Sequence, residues 1–92
     1  MHDRLTRIDE ITEALAGSSA VLAGRVTTAE IAVDSAVIDL LFEKLSAINI
    51  SRSACADTSF ESREYNELLM MGAEVRAAIQ GFEDKYKLSL MA

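Results

Sequence analysis

Proline and tryptophan are absent from this 92-residue chain, and cysteine and histidine occur once each, as Cys55 and His2. With no pyrrolidine ring to interrupt them, helices can run long. A single cysteine excludes an internal disulfide, so the chain is not a disulfide-stapled secreted scaffold, and a reducing compartment is expected. A lone histidine at a terminus offers no Glu-x-x-His pair, which excludes a di-iron bundle of the ferritin type. Cys55 has no histidine beside it in sequence to activate its thiol. The glycines, Gly17, Gly24, Gly72 and Gly81, are isolated, so there is no phosphate-cradling loop. Neither a cofactor nor a metal site is expected, and catalytic residues cannot be assembled from what remains.

Basic charge is also scarce. Nine Lys and Arg stand against fifteen Asp and Glu, for a net charge of -6 and a pI near 4.6. Nucleic-acid binding draws most of its affinity from clustered cations that release counterions. The cations here are few and scattered, which argues against nucleic acid and anionic membranes as partners. No apolar run reaches the ~18 residues that span a bilayer, and a basic-then-apolar leader is missing, so a cytoplasmic protein is expected. Half of the residues are apolar, enough for a core.

What is present is helical periodicity, and the expected fold is all-α, an antiparallel hairpin or bundle of two to three helices forming one domain over residues 1–92. The first helix is expected over about 4–23, capped by Asp3, with Leu5, Ile8, Ile11, Leu15 and Leu22 on one face. Gly17-Ser18-Ser19 is its weak point, and Gly24 is placed to end it in a left-handed conformation. Thr27-Thr28-Ala29-Glu30 fits a capping box and opens a second helix over about 28–48. The first two helices could instead run on as one rod. The second carries an apolar arc wider than half its circumference, with Ser35, Asp39, Glu43 and Ser46 as its narrow wet side. Residues 49–57 lack helical periodicity and read as a loop. Asp57 or Thr58, the latter with Glu61, would cap a third helix over about 59–86. Arg63 with Glu67, and Glu83 with Lys87, form i,i+4 pairs. Residues 89–92 are expected to fray.

Folding the last two helices back across residues 49–57 sets a register. Leu45 meets Tyr65, Leu41 meets Leu68, Ile38 meets Gly72, Asp34 meets Val75 and Ile31 meets Ile79. Asp34 is then an acid on an apolar seam. It is expensive to bury alone, so either it pairs with Arg76 as a buried ion pair or it lies wet near an open end.

The third helix has a second face. Asn66, Met70, Ala73, Ala77 and Gly81 form a row of mostly small residues opposite the seam, with Leu69 between the two faces. Small residues admit a close neighbour and Met adapts to varied surfaces. Leu69, Met70, Ala73, Ala77 and Gly81 are therefore the candidate protein-binding residues, unless the first helix covers them.

Two resemblances bear on function. Leu5-Thr6-Arg7-Ile8-Asp9-Glu10-Ile11, Arg25 and Arg63-Glu64 resemble the layout of small all-helical chorismate mutases, whose cationic cluster holds a dicarboxylate. The lysine that this family places after its second arginine would fall at Ala36, and the span from Arg25 to Arg63 is longer than in the family. Arg63 to Leu69, followed by Ala77 to Phe82, resembles the C-terminal helix of type III secretion needle subunits and their co-chaperones, without the needle subunits' proline turn. The expected function is non-enzymatic. It is a protein–protein interaction module (adaptor, co-chaperone, assembly subunit or inhibitor) acting through helix faces and self-associating as a dimer or larger homo-oligomer. A small chorismate-mutase-like enzyme and a phage- or plasmid-encoded inhibitor of a host protein are the alternatives.

Overall fold

A computed structural model describes residues 4–56 and 63–91. The described chain is all-α. Helix α1 spans Arg4–Ala16, α2 Ser19–Leu22, α3 Thr28–Ala56 and α4 Arg63–Tyr86. The two long helices, α3 and α4, form an antiparallel hairpin. Helix α1 packs on α3, and α2 touches α4. The expected caps at Asp3, Asp57 and Thr58, together with His2, lie outside the described residues.

The N-terminal breaks follow local chemistry. The first helix stops at the glycine. Ser18 Oγ donates to Leu15 O at 2.7 Å, which satisfies a carbonyl that the helix would otherwise have used. A single short turn, α2, follows. It closes on Gly24, whose φ of +74° lets the Arg25 N–H reach back to Ala20 O at 3.0 Å. The first two expected helices are thus separate. Leu22, expected inside, points to solvent. At the start of α3 the capping box forms in both directions: Glu30 N–H donates to Thr27 Oγ1 at 3.1 Å and Thr27 N–H to Glu30 Oε1 at 3.5 Å.

The largest departure from expectation is the length of α3. It runs through the expected loop to Ala56, so that Cys55 lies on its last turn. Residues 49–56 contain no glycine or proline, and polar side chains alone do not stop a helix whose preceding turns are packed. The added turns move the hairpin register. Gly72 faces Ile48, with Ile48 Cγ2 3.6 Å from where a Cβ would sit, rather than Ile38. From Ile38 to Ile48 is a shift of about 15 Å along α3 at 1.5 Å per residue. Asp34 consequently sits beside Tyr86 and not Val75, and Ile79 packs with Ile48 and Val75 rather than with Ile31.

Two apolar clusters result. One joins Ile11, Leu15, Ile31, Ile38 and Tyr86 where α1, α3 and the end of α4 meet, and Phe82 packs against it. The other joins Ile48, Val75 and Ile79 further along the hairpin. Leu90 touches both. The expected fraying of the C-terminus is corrected here. Lys87 takes a left-handed φ of 58°, and Leu88 N–H donates to Glu83 O at 3.1 Å, turning the chain back. The buried Glu83 carboxylate, expected to pair with Lys87, instead accepts from the N–H groups of Leu90 at 2.5 Å and Met91 at 3.3 Å.

Helix α1 is 13 residues, ~20 Å long, against 29 residues, ~43 Å, for α3. It therefore covers only about half of the hairpin. The molecule is elongated, 49 × 25 × 20 Å, with a radius of gyration of 15.5 Å; a chain of this length in a compact domain would have about 12 Å. At Gly72 a methyl group in place of the hydrogen would meet its neighbours at ordinary contact distance, all at 3.5 Å or beyond. Gly72→Ala is expected to stabilise the protein by about 0.5–1 kcal/mol through helix propensity alone, read as a raised midpoint in thermal unfolding followed by circular dichroism.

Candidate functional site

The outer face of α4 is open. Met70, Ala73, Ala77 and Gly81 are exposed, Met70 by 66%, and Leu69 is half-buried at the edge. Among the described residues nothing lies within 4 Å of where a Cβ at Gly81 would sit. Helix α1 does not cover this row, because it packs on α3. Met71, on the flank, is also exposed. Of the five residues that sequence spacing groups as protein-binding candidates, Met70, Ala73, Ala77 and Gly81 thus share one solvent-facing strip along α4, and Leu69 lies at its edge.

Two polar devices hold the helices against one another. The first is Asp34. It is paired, but to Lys85 and Tyr86 rather than to Arg76. One carboxylate oxygen, Oδ2, accepts from Lys85 Nζ at 2.6 Å and from the Tyr86 hydroxyl at 2.5 Å. Lys85 Nζ also approaches Glu30 Oε2 at 3.3 Å and lies over the Tyr86 ring, 5.4 Å from its centroid. The hydrogen bond to Asp34 raises the Lys85 pKa above its ordinary value. Burial, aided by the hydrogen bond to Asp34, pushes the Tyr86 hydroxyl well above the ordinary tyrosine value. Arg76 falls in another layer, half-buried beside Gly72, because the register shift carries it away from Asp34.

The second device is hidden in the sequence. Ser35 and Asp39, expected on the wet side of α3, are buried, while Val33, Val37 and Leu40 are exposed. Arg7 Nε donates to Asp39 Oδ1 at 2.6 Å, tying α1 to α3. Ser35 Oγ, one turn away, is buried without a hydrogen-bond partner among the described residues. A helix that is apolar almost all round provides no hydrophobic phase of its own. The buried ion pair and the packing of Ile31 and Ile38 select the rotation, and this leaves an apolar strip outside.

The cations of the chorismate-mutase resemblance are not brought together. Arg7 is engaged by Asp39, whereas Arg63 opens α4 in an exposed pair with Glu67 at 3.1 Å. Arg25 lies exposed in the turn before α3. Among the described residues no group of three or more His, Cys, Asp or Glu could hold a metal ion. Among them, too, no helix is long and apolar enough to cross a membrane. The chain matches no protein-family model, no curated protein and no solved structure.

Proposed function

We propose that this protein is a non-enzymatic protein–protein interaction module that binds a partner along the outer face of α4. The supporting observation is the open strip Met70–Ala73–Ala77–Gly81 on a hairpin that α1 covers only in part. An exposed methionine among small residues gives an adaptable, closely approachable surface, suited to an amphipathic helix of another protein. Burying the Met70 side chain alone is worth on the order of 1.5–3 kcal/mol. The polar clasp of Asp34, Lys85 and Tyr86 fixes the C-terminal end of α4 against α3, so the strip is presented on a rigid element.

Affinity capture from the native host with the wild type and with Ala77→Glu tests this reading. The exposed site tolerates the charge structurally, so the variant should keep its helical circular dichroism and melting point. A partner held by the wild type should be lost, with affinity reduced at least about tenfold. A partner retained equally by both forms would place recognition elsewhere and refute the α4 assignment.

A further inference from the structure

Residues 87–91 lie in a groove between helices. Glu83 of α4 stands on one side of them, Ile11 and Ala14 of α1 on the other, and Phe42 of α3 lines the floor. Leu90 packs against both apolar clusters and Met91 against the second. Past the turn at Lys87, the main chain is anchored at one side chain. Glu83 Oε2 accepts from two successive N–H groups, Leu90 at 2.5 Å and Met91 at 3.3 Å. The fit is loose. An open cleft of about 480 Å³ borders the segment on its α4 side, and another of about 400 Å³ borders it on its α1 side. A packed core leaves no gaps of this size. No residue of the segment is fully buried: Lys87 and Ser89 are exposed, and Leu88, Leu90 and Met91 are half-buried.

We infer that this groove is a binding site for a short, leucine-bearing, non-helical segment of a partner protein, and that residues 87–91 fill it in cis as a displaceable strap. The seated strap shows what the groove recognises. Its main-chain anchor is a carboxylate that takes two consecutive N–H groups, which every residue except proline can supply. Its side-chain anchor is a leucine placed against two apolar clusters. The ligand is therefore a segment with leucine at the Leu90 position and no proline there or at the next residue.

The strap is separable from the groove. Helix α4 ends before it, at Tyr86, and Lys87 turns the chain in the left-handed conformation, which a lysine adopts less readily than a glycine. The walls and floor belong to helices that pack on one another directly, α1 on α3 and α3 on α4, so they stand without the strap. Release also strands no buried charge. The strap itself covers the Glu83 carboxylate, and water replaces the two N–H groups as it leaves. Glu83 lies ~200° round α4 from Gly81, two residues away, so the groove is not the Met70–Gly81 strip. This inference extends the interaction-module reading but uses a separate surface, so either can fail alone.

An end-blocked peptide of residues 87–91 is the probe, titrated into the isotope-labelled full chain and followed by NMR. Leu90→Asp sets a carboxylate against the apolar clusters and frees the strap. In this variant the peptide should move the amide signals of Ile11, Phe42 and Glu83, with a Kd below about 0.3 mM. The wild type should bind it at least about tenfold more weakly, because the tethered strap competes at millimolar effective concentration. Adding Glu83→Ala to Leu90→Asp should weaken binding at least about tenfold, through loss of the charged acceptor. No binding to Leu90→Asp, equal binding to the wild type, or binding indifferent to Glu83→Ala overturns the inference. Signals that move along Met70–Gly81 instead would assign the peptide to the outer strip and overturn the groove. If Leu90→Asp unfolds, native-state hydrogen exchange of the wild type decides. The Leu90 and Met91 amides should exchange at least about 100-fold faster than the Ile79 amide, through local opening of the strap. Equal rates would mean that the strap opens only with the whole fold, and the inference falls.

Discussion

Tyr86→Ala is expected to remove about 3–5 kcal/mol of stability. The ring is fully buried in the cluster with Leu15 and Ile38, so truncation leaves a cavity at the junction of α1, α3 and α4. It also takes the hydroxyl from Asp34. Tyr86→Phe separates the two contributions: it keeps the ring and should cost about 1.5–3 kcal/mol, the range for a hydrogen bond to a charged group. Chemical denaturation of the three forms gives both numbers. A Phe variant as stable as the wild type would refute the role of the hydroxyl.

The same clasp predicts an alkaline transition. Both Tyr86 and Lys85 hold their protons more tightly in the fold than in the unfolded chain, whose ordinary values are 10.0 and 10.5. A raised pKa contributes stability that is complete below the unfolded value and is lost as pH climbs through the folded one. Stability should therefore be level on account of these two groups up to about pH 10 and fall above it. In Tyr86→Phe the alkaline loss should be smaller, since only Lys85 remains to titrate. Melting curves from about pH 7 to 12 test the sign: a Tyr86→Phe profile as steep as the wild type would exclude the tyrosine.

Arg7→Met is the second large effect, expected at about 3 kcal/mol. Asp39 is completely buried, and removing the guanidinium 2.6 Å away takes a charge partner from a desolvated carboxylate. Breaking a buried pair from one side costs about 3–5 kcal/mol; the partial exposure of Arg7 places this case at the lower end. At roughly 4–8 °C per kcal/mol for a domain of this size, the melting point should fall by more than 10 °C. Arg7→Met combined with Asp39→Leu should regain most of the loss, because an apolar pair of similar volume has no charge to desolvate. If the double variant is as unstable as Arg7→Met, the pair does not join α1 to α3 energetically.

These two residues mark where sequence reading stops. Tyr86 lies on the stripe from Tyr65 through Val75 and Ile79, so its burial follows from spacing. Its partner does not, because a loop at residues 49–57 matches Asp34 to the wrong layer. Helix continuation through Ser51, Arg52 and Ser53 moves every cross-hairpin pair by nearly three turns. Periodicity reports which residues share a face of one helix; it carries no information about where a partner helix begins. Asp39 departs from expectation for a different reason. A polar residue on a mostly apolar helix reads as solvent-facing unless a cation 32 positions away in sequence claims it. No local signal at Arg7 marks it as that cation.

Local chemistry in the chain by itself determined that the described fold is all-α, with no proline to break long segments. It also determined the weak point at Gly17, the end at Gly24, the start at the Thr27–Glu30 box, and the α4 stripe that divides a seam from a row of small residues; that the chain breaks at Gly17 and that the row is open were decided by the fold. Those local signals depend on residues within a turn or two of one another. Only the tertiary structure decided the length of α3, the hairpin register, the partners of Asp34 and Asp39, and which side of α3 faces out. Those outcomes rest on contacts between residues far apart in sequence. With apolar side chains around almost all of α3, several rotations bury similar area, and the choice falls to the buried Arg7–Asp39 pair and the Asp34–Tyr86 bond.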